Sequence, residues 1–134
     1  MKFYAKVKNQ LNQHYVEVNS NSETKVLNIP GKSGGFGSGI NGGELLLVAL
    51  ATCYCNDIYR EAGKLNLKVD KVEVIASADF DAPGEPGRNF QYLVKVASDH
   101  NEKEIRQLLA HTDEVAEIQN TLRQGVTVNF QITG

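Results

Sequence analysis

The sequence predicts an α+β fold in a single domain over residues 1–134, with the element order βββ-α-ββ-αα-β. Three observations support this. Alternating apolar residues predict strands at both ends of the chain, a long apolar segment predicts a helix in the middle, and Pro/Gly clusters separate the elements. The length suits one domain, and 41% hydrophobic and 22% charged residues are typical of a globular protein.

The first strands precede the glycine-rich part of the chain. Apolar and polar residues alternate over residues 3–7, which is the period of a half-buried strand. Turn residues then separate a second strand around residues 14–18 from a third at residues 25–29. We therefore expect a β-meander that ends at Pro30.

Seven of the twelve glycines lie between Gly31 and Gly43, in a segment that predicts a long mobile loop. Residues 37–42 match the pattern G-x-G-x-x-G. A dinucleotide site needs a strand directly before this pattern and an acidic residue at the end of the next strand, about 20 residues later. Here a loop precedes the pattern and a helix lies at that distance, so the spacing argues against nucleotide binding.

The central helix is predicted from Glu44 to about Leu65. Its first half is apolar on every side, which is typical of a buried helix, and its second half is amphipathic. At about 1.5 Å per residue it would span roughly 30 Å. A chain this short can bury such a helix only with a wrapping sheet or a second subunit.

The remaining elements follow the same patterns. Strands are predicted near residues 71–80 and 90–96, joined by a Pro/Gly hairpin loop. Asp99 is the expected N-cap of the next helix, and a further helix is expected at residues 113–123. Alternation of Val and other apolar residues predicts a last strand at residues 126–132.

Charge and hydropathy exclude several classes of protein. The net charge of −2 offers no counterion-release force toward nucleic acid. The first residues lack the apolar core of a signal peptide, and the uncharged apolar run at residues 45–55 is far shorter than the roughly 20 residues that span a bilayer. We expect a cytoplasmic protein with reduced thiols and neither nucleic acid nor membrane as a partner.

The two cysteines, Cys53 and Cys55, lie two residues apart on the central helix. Their side chains should point about 200° apart, so a disulfide or a metal pair would need the helix to unwind. The three histidines are scattered, and we expect neither a metal nor another cofactor. Either cysteine can also be a small buried hydrophobe. Cys53 stands where the helix turns from apolar to polar, and an ionised Asp57 one turn later would oppose a thiolate.

Residues 41–53, Asn-Gly-Gly-Glu-Leu-Leu-Leu-Val-Ala-Leu-Ala-Thr-Cys, resemble the central helix of the OsmC/Ohr family of thiol-dependent hydroperoxide reductases. The order of elements along the whole chain is also similar to that family. The resemblance implies an intertwined homodimer with two central helices packed back to back and sites at the subunit interface. It places Cys53 at the position of the cysteine that attacks the peroxide.

Three other family positions differ in this chain. The resemblance implies that an arginine on an early strand and a glutamate at the start of the helix hold the attacking thiolate ready. The arginine has no counterpart in this chain, because Arg60 is the first arginine. The family glutamate aligns with Gly43, so that Glu44 comes one residue late, and Ala116 stands where the resolving cysteine should be. Without these groups, a half-buried thiol stays largely protonated at neutral pH, and its sulfenic acid needs an external thiol.

These observations lead to two hypotheses of different classes. The first is a weak thiol-dependent hydroperoxide reductase, active in the oxidative stress response, whose candidate catalytic residues are Cys53, Glu44 and Cys55. Cys53 is its only candidate nucleophile, and Cys55 could resolve it only if the helix opened. The second is a non-catalytic homodimer that binds a small apolar ligand between the glycine-rich loop, Phe36 and the central helix.

Overall fold

The alternating residues at the start of the chain form a three-stranded antiparallel sheet in the order β1-β2-β3. Its strands are β1 (Phe3–Gln10), β2 (Gln13–Ser20) and β3 (Glu23–Leu27). Asn12 and Asn21 adopt positive φ in the two connecting turns, a conformation that asparagine tolerates better than most residues. The predicted meander is confirmed.

The structure is a computed structural model and describes residues 1–133. It divides into two compact units, one formed by Met1–Leu45 and the other by the chain from Leu46 onward. One helix begins in the first unit and continues into the second.

The glycine-rich segment is a loop of the first unit that hydrogen bonds tie to the neighbouring strand β1. Gly31 and Ser38 form an isolated β-bridge, and the Asn9 side chain both donates to the Gly37 carbonyl and accepts from its N–H. Gly37 has φ +102°, and a Cβ at Gly39 would lie 2.9 Å from the Pro30 oxygen. The glycines thus permit a tight turn.

The apolar segment forms α1 (Gly42–Lys64), close to the predicted bounds. Its buried side chains begin only at Leu50 and lie along one face: Leu50, Tyr54, Asp57, Ile58, Glu61 and Ala62. Val48, in the first half, is 56% exposed. The described residues of one chain therefore do not enclose the apolar first half of α1, and its burial by a second subunit stays a prediction.

The second unit packs α1 against a β-hairpin and two helices. The hairpin is β4 (Lys71–Asp79) and β5 (Arg88–Ala97), and the helices are α2 (Glu102–Val115) and α3 (Glu117–Gln124). The core consists of Tyr54, Ile58, Ala62, Val69 and Leu108, and the half-buried valines of both strands pack against it. Burying a side chain such as Ile58 stabilises the fold by about 1.5–3 kcal/mol.

The helix boundaries near the end of the chain differ from the prediction. Asn101, not Asp99, caps α2 by accepting from the Glu104 N–H at 2.8 Å. Before this cap, the Ser98 hydroxyl donates to the Lys68 carbonyl and the His100 ring accepts from the Lys68 N–H. α2 continues to Val115, past the predicted start of the next helix at residue 113, and the extended backbone of Ala116 (ψ 113°) separates it from α3.

The last predicted strand is absent from the described residues. Residues 126–133 form no hydrogen-bonded ladder, and Val128, Phe130 and Ile132 are at least 85% exposed. A strand requires a partner strand, and this segment has none within residues 1–133. Over the same residues, no helix combines the length and the hydropathy needed to cross a membrane.

Candidate functional site

Helix α1 carries Cys53 and is started by a capping box. The Asn41 side chain accepts from the Glu44 N–H at 2.8 Å, and the Glu44 carboxylate accepts from the Asn41 N–H at 3.0 Å. These bonds satisfy two of the backbone donors that a helix leaves free at its N-terminus. Glu44 lies nine residues before Cys53, a rise of about 13 Å, and its observed contact is therefore with the helix start.

The Cys53 thiol lies between two carboxylates. Its Sγ is 3.6 Å from Asp57 Oδ2 and 3.6 Å from Glu117 Oε2. Asp57 lies one turn further along α1 on the same face. Glu117 is the first residue of α3 and follows the backbone break at Ala116. Because a thiol has a single hydrogen, it can donate to only one of the two oxygens at a time.

Arg60 holds both of these carboxylates in place. Its Nη1 donates to Asp57 Oδ1 at 2.9 Å and to Glu117 Oε1 at 3.4 Å. Its Nε donates to Glu61 Oε2 at 2.8 Å. Asp57 and Glu117 therefore each turn one oxygen toward the guanidinium and the other toward Cys53, and the planar fork of arginine suits this arrangement.

The network continues behind Arg60 through Glu61. Lys64 Nζ lies 3.0 Å from Glu61 Oε2, and His111 Nε2 lies 2.8 Å from Glu61 Oε1. Arg60 is the main cause that lowers the pKa of Glu61 to about 2, and Lys64 and His111 add to it. Glu61 thus stays ionised and keeps Arg60 anchored.

Electrostatics at the site disfavour a thiolate. Burial is the largest cause that raises the pKa of Cys53 above its ordinary value of 9.0, and the negative charge of Asp57 adds to it. A hydrogen bond from the backbone of Ile118 works in the opposite direction. Since charged carboxylates repel a neighbouring thiolate, the thiol stays protonated at neutral pH.

The two carboxylates differ in their affinity for a proton. Burial and the neighbouring Glu117 raise the pKa of Asp57. The pKa of Glu117 is lowered, first by a backbone hydrogen bond and then by its interaction with Asp57. When this pair of like charges takes up a proton, Asp57 is therefore the residue that holds it.

The same three side chains could hold a metal ion. Cys53 Sγ and one oxygen each of Asp57 and Glu117 lie within 4.8 Å of one another. Arg60 already bonds to both carboxylates. Its guanidinium thus supplies the positive charge that a metal ion would otherwise bring to them.

Cys55 is separate from this cluster. Both cysteines are free and half-buried, and α1 runs without interruption through them. Two residues along a helix correspond to a rotation of about 200°, so the two sulfurs point to different sides. The structure brings Cys53 together with Asp57, Arg60 and Glu117, and it brings neither Cys55 nor Glu44 to that thiol.

A cavity of about 110 Å³ adjoins the preceding turn of α1. It is lined by Leu50, Phe90, Gln91, Tyr92, Gln119, Leu122 and Arg123. The buried Gln119 amide donates to the Leu50 carbonyl at 3.0 Å, whereas its Oε1 has no hydrogen-bond partner among the described residues. The walls are mainly apolar, with one buried acceptor close by.

Sequence reasoning found only part of this cluster. The spacing of four residues between Cys53 and Asp57 did indicate a contact. Arg60 follows three residues later, a spacing that also marks neighbours on a helix, and this signal was missed. Glu117 lies 64 residues from Cys53. Only its position next to Ala116, where the resemblance places the resolving cysteine, pointed to that part of the chain.

Comparisons with known proteins agree with the resemblance seen in the sequence. The model of a family described as OsmC-like protein matches residues 35–131. The chain is similar to the solved structure of an OsmC like protein from Mycoplasma pneumoniae, with 22% identity, a TM-score of 0.59, and coverage of 92% of this chain and 89% of that one. None of the curated protein sequences compared with this chain matches it.

Two further solved structures carry a functional description. One is an organic hydroperoxide resistance protein OsmC from Legionella pneumophila, with 21% identity, a TM-score of 0.61, and coverage of 92% of this chain and 90% of that one. The other is the organic hydroperoxide resistance protein OhrB of Bacillus subtilis, with 14% identity, a TM-score of 0.58, and coverage of 93% of each chain. At these identities, the likeness establishes the fold.

We expect acid to destabilise the protein partly through Glu61. A carboxylate whose pKa is depressed on folding stabilises the fold above its unfolded value, here 4.5, and this contribution is lost as the pH falls toward about 2. Denaturant titrations should therefore show the free energy of unfolding falling more steeply between these pH values in the parent than in Glu61→Gln. Equal slopes for the two proteins would contradict this role of Glu61.

Proposed function

The chain belongs to the OsmC-like protein family, and we propose that it reduces organic hydroperoxides slowly at a single thiol, Cys53, with an external thiol as reductant. The observation that carries the proposal is the position of Cys53. This residue matches the attacking cysteine that the sequence resemblance implied, and it is only half-buried, so that a small peroxide can reach it. Proteins of similar fold are described as organic hydroperoxide resistance proteins.

The proposed reaction requires the peroxide, the Cys53 thiol and two external thiols. A sulfur lone pair of Cys53 attacks the outer peroxide oxygen, the O–O bond breaks, and an S–O bond forms. Sulfur loses two electrons and becomes a sulfenic acid, while the peroxide gains them and leaves as an alcohol with the thiol proton. One external thiol then forms a mixed disulfide and releases water, and a second restores Cys53 and leaves as a disulfide.

The reaction is slow because the site disfavours the thiolate, which is the attacking form. Burial raises the pKa of Cys53 most, and the neighbouring carboxylates raise it further. In this proposal Glu44 contributes by starting the helix that carries the thiol. Cys55 resolves the sulfenic acid only if α1 opens between the two cysteines, so a reducing compartment with abundant external thiols is required.

The proposal includes a homodimer. The first half of α1 is apolar yet not enclosed, and Val48 is 56% exposed. The segment of residues 126–132 exposes a row of alternating apolar side chains without a partner strand among the described residues. Exposed apolar surface of this kind favours association, since burying it gains about 25 cal/mol per Å².

A second candidate function is a non-catalytic homodimer that binds a small apolar ligand. The raised pKa of the Cys53 thiol favours it, because a protonated thiol is a poor nucleophile. The apolar cavity near Leu50 and Gln119 also offers space for a small molecule within the second unit. A ligand between the glycine-rich loop, Phe36 and α1 stays a prediction from the sequence.

We expect Cys53→Ser to abolish the consumption of cumene hydroperoxide in the presence of excess dithiothreitol, after subtraction of the uncatalysed rate. Cys55→Ser is the matched control, because it removes the other thiol of the same helix and should retain most of the activity. Unchanged consumption in Cys53→Ser would contradict the reductase and leave the binding function as the better description.

We expect the full chain to sediment as a dimer at micromolar concentration. Phe130→Asp places a charge in the apolar row of residues 126–132 and should shift the protein toward the monomer. Asn129→Asp, one residue away on the alternate side of the row, should leave the dimer intact. Analytical ultracentrifugation measures all three proteins, and a monomeric parent would contradict the homodimer.

A further inference from the structure

We infer that Asp57 is the acid–base group of this site: its carboxylate takes the proton of the Cys53 thiol and delivers it to the departing alkoxide, which leaves as the alcohol. The inference rests on the proposed reductase function and names a catalytic residue that neither the sequence nor the family resemblance assigned. It explains how a protonated thiol can still attack a peroxide.

The geometry fixes one oxygen of Asp57 on the reacting atom. Oδ2 lies 3.6 Å from Cys53 Sγ, while Oδ1 accepts from Arg60 at 2.9 Å. The residue is only 4% exposed, and both of its oxygens are engaged by protein groups. A carboxylate held in this way needs no rearrangement before it accepts the thiol proton, which is the geometric requirement for a general base.

Glu117 reaches the same sulfur but suits the role less well. Its Oε2 is also 3.6 Å from Cys53 Sγ, yet its side chain is 63% exposed and its bond to Arg60 is longer, at 3.4 Å. Burial raises the pKa of Asp57, whereas that of Glu117 is lowered. Glu117 therefore stays ionised and favours the protonated form of its neighbour Asp57.

The thiol proton is transferred twice, and Asp57 is regenerated at the end of the step. As the sulfur lone pair forms the S–O bond, the S–H proton passes to Asp57 Oδ2. The O–O bond breaks toward an alkoxide, which takes the same proton from Asp57 and leaves as an alcohol. Asp57 ends the step ionised, as it began, and no other oxidant or proton donor is required.

This role separates two reactions of the same thiol. Alkylation by iodoacetamide proceeds through the thiolate that forms when the thiol loses its proton to solvent, and the charge of Asp57 opposes this ionisation. The leaving group of that reaction is iodide, which needs no proton. Peroxide reduction also requires a proton for the leaving alkoxide, which Asp57 supplies. Removing this carboxylate should therefore speed alkylation and slow peroxide reduction, whereas a purely electrostatic neighbour would change both rates in the same direction.

The test compares Asp57→Asn with Glu117→Gln in the full chain that also carries Cys55→Ser, so that each signal reports Cys53. At neutral pH we expect Asp57→Asn to alkylate several-fold faster than the parent. Its single-turnover rate with cumene hydroperoxide should fall tenfold or more, since acid–base groups typically contribute factors of 10²–10⁴. Glu117→Gln, which keeps the Asp57 carboxylate, should alkylate faster than the parent and retain more of the peroxide rate than Asp57→Asn.

The two proposals fail in different ways. Peroxide reduction that depends on Cys53 but is accelerated in Asp57→Asn would overturn the role of Asp57 and leave the reductase intact. Peroxide consumption that persists in Cys53→Ser would overturn the reductase itself.

Folding of the variants is checked by thermal unfolding. Asp57→Ser provides a second neutral replacement, because Arg60 keeps its bonds to Glu61 and Glu117. Asp57→Glu, which restores a carboxylate, should recover part of the peroxide rate. Its failure to exceed Asp57→Asn would count against the proton transfer.

Discussion

The fork of Arg60 is the interaction on which the site depends. One guanidinium bonds to Asp57 and Glu61 of its own helix and to Glu117 of α3. It neutralises part of the charge that three carboxylates would otherwise concentrate in one place, and it joins the middle of α1 to the start of α3. Without this cation, the carboxylates would repel one another and α3 would lose its ion pair with α1.

The placement of Arg60 adds to the effect of burial on the thiol. Burial is the largest cause that raises the pKa of Cys53, and because the guanidinium faces the carboxylates, Cys53 meets negative oxygens that raise it further. The sequence resemblance implied a different arrangement, in which an early arginine and a glutamate hold the thiolate ready. This chain has the fold of the OsmC-like family, and the cysteine that the resemblance places at the attacking position faces carboxylates instead. In place of a preformed thiolate, the proposed site has a protonated thiol and a neighbouring carboxylate that carries its proton.

The sequence predicted what local periodicity controls and missed what depends on distant contacts. The meander, α1 and the hairpin formed by β4 and β5 follow from patterns of two or three residues that repeat within each element. The break at Ala116 and the cap at Asn101 depend on tertiary packing and on bonds to Lys68. The segment of residues 126–132 has the expected alternation of apolar residues, but it pairs with no strand within the described residues. At the site, the spacing of residues along a helix predicts the contact between Cys53 and Asp57. It cannot predict the contact with Glu117, which lies 64 residues from Cys53.

Burial and the carboxylates keep the Cys53 thiol protonated at neutral pH. The most direct test is an NMR titration of the Cys53 Cβ chemical shift in isotope-labelled protein that carries Cys55→Ser. We expect a midpoint above 9.0, the ordinary value for a cysteine thiol. A midpoint well below that value would show an activated thiolate, and it would contradict both the electrostatics described for this site and the need for a proton carrier.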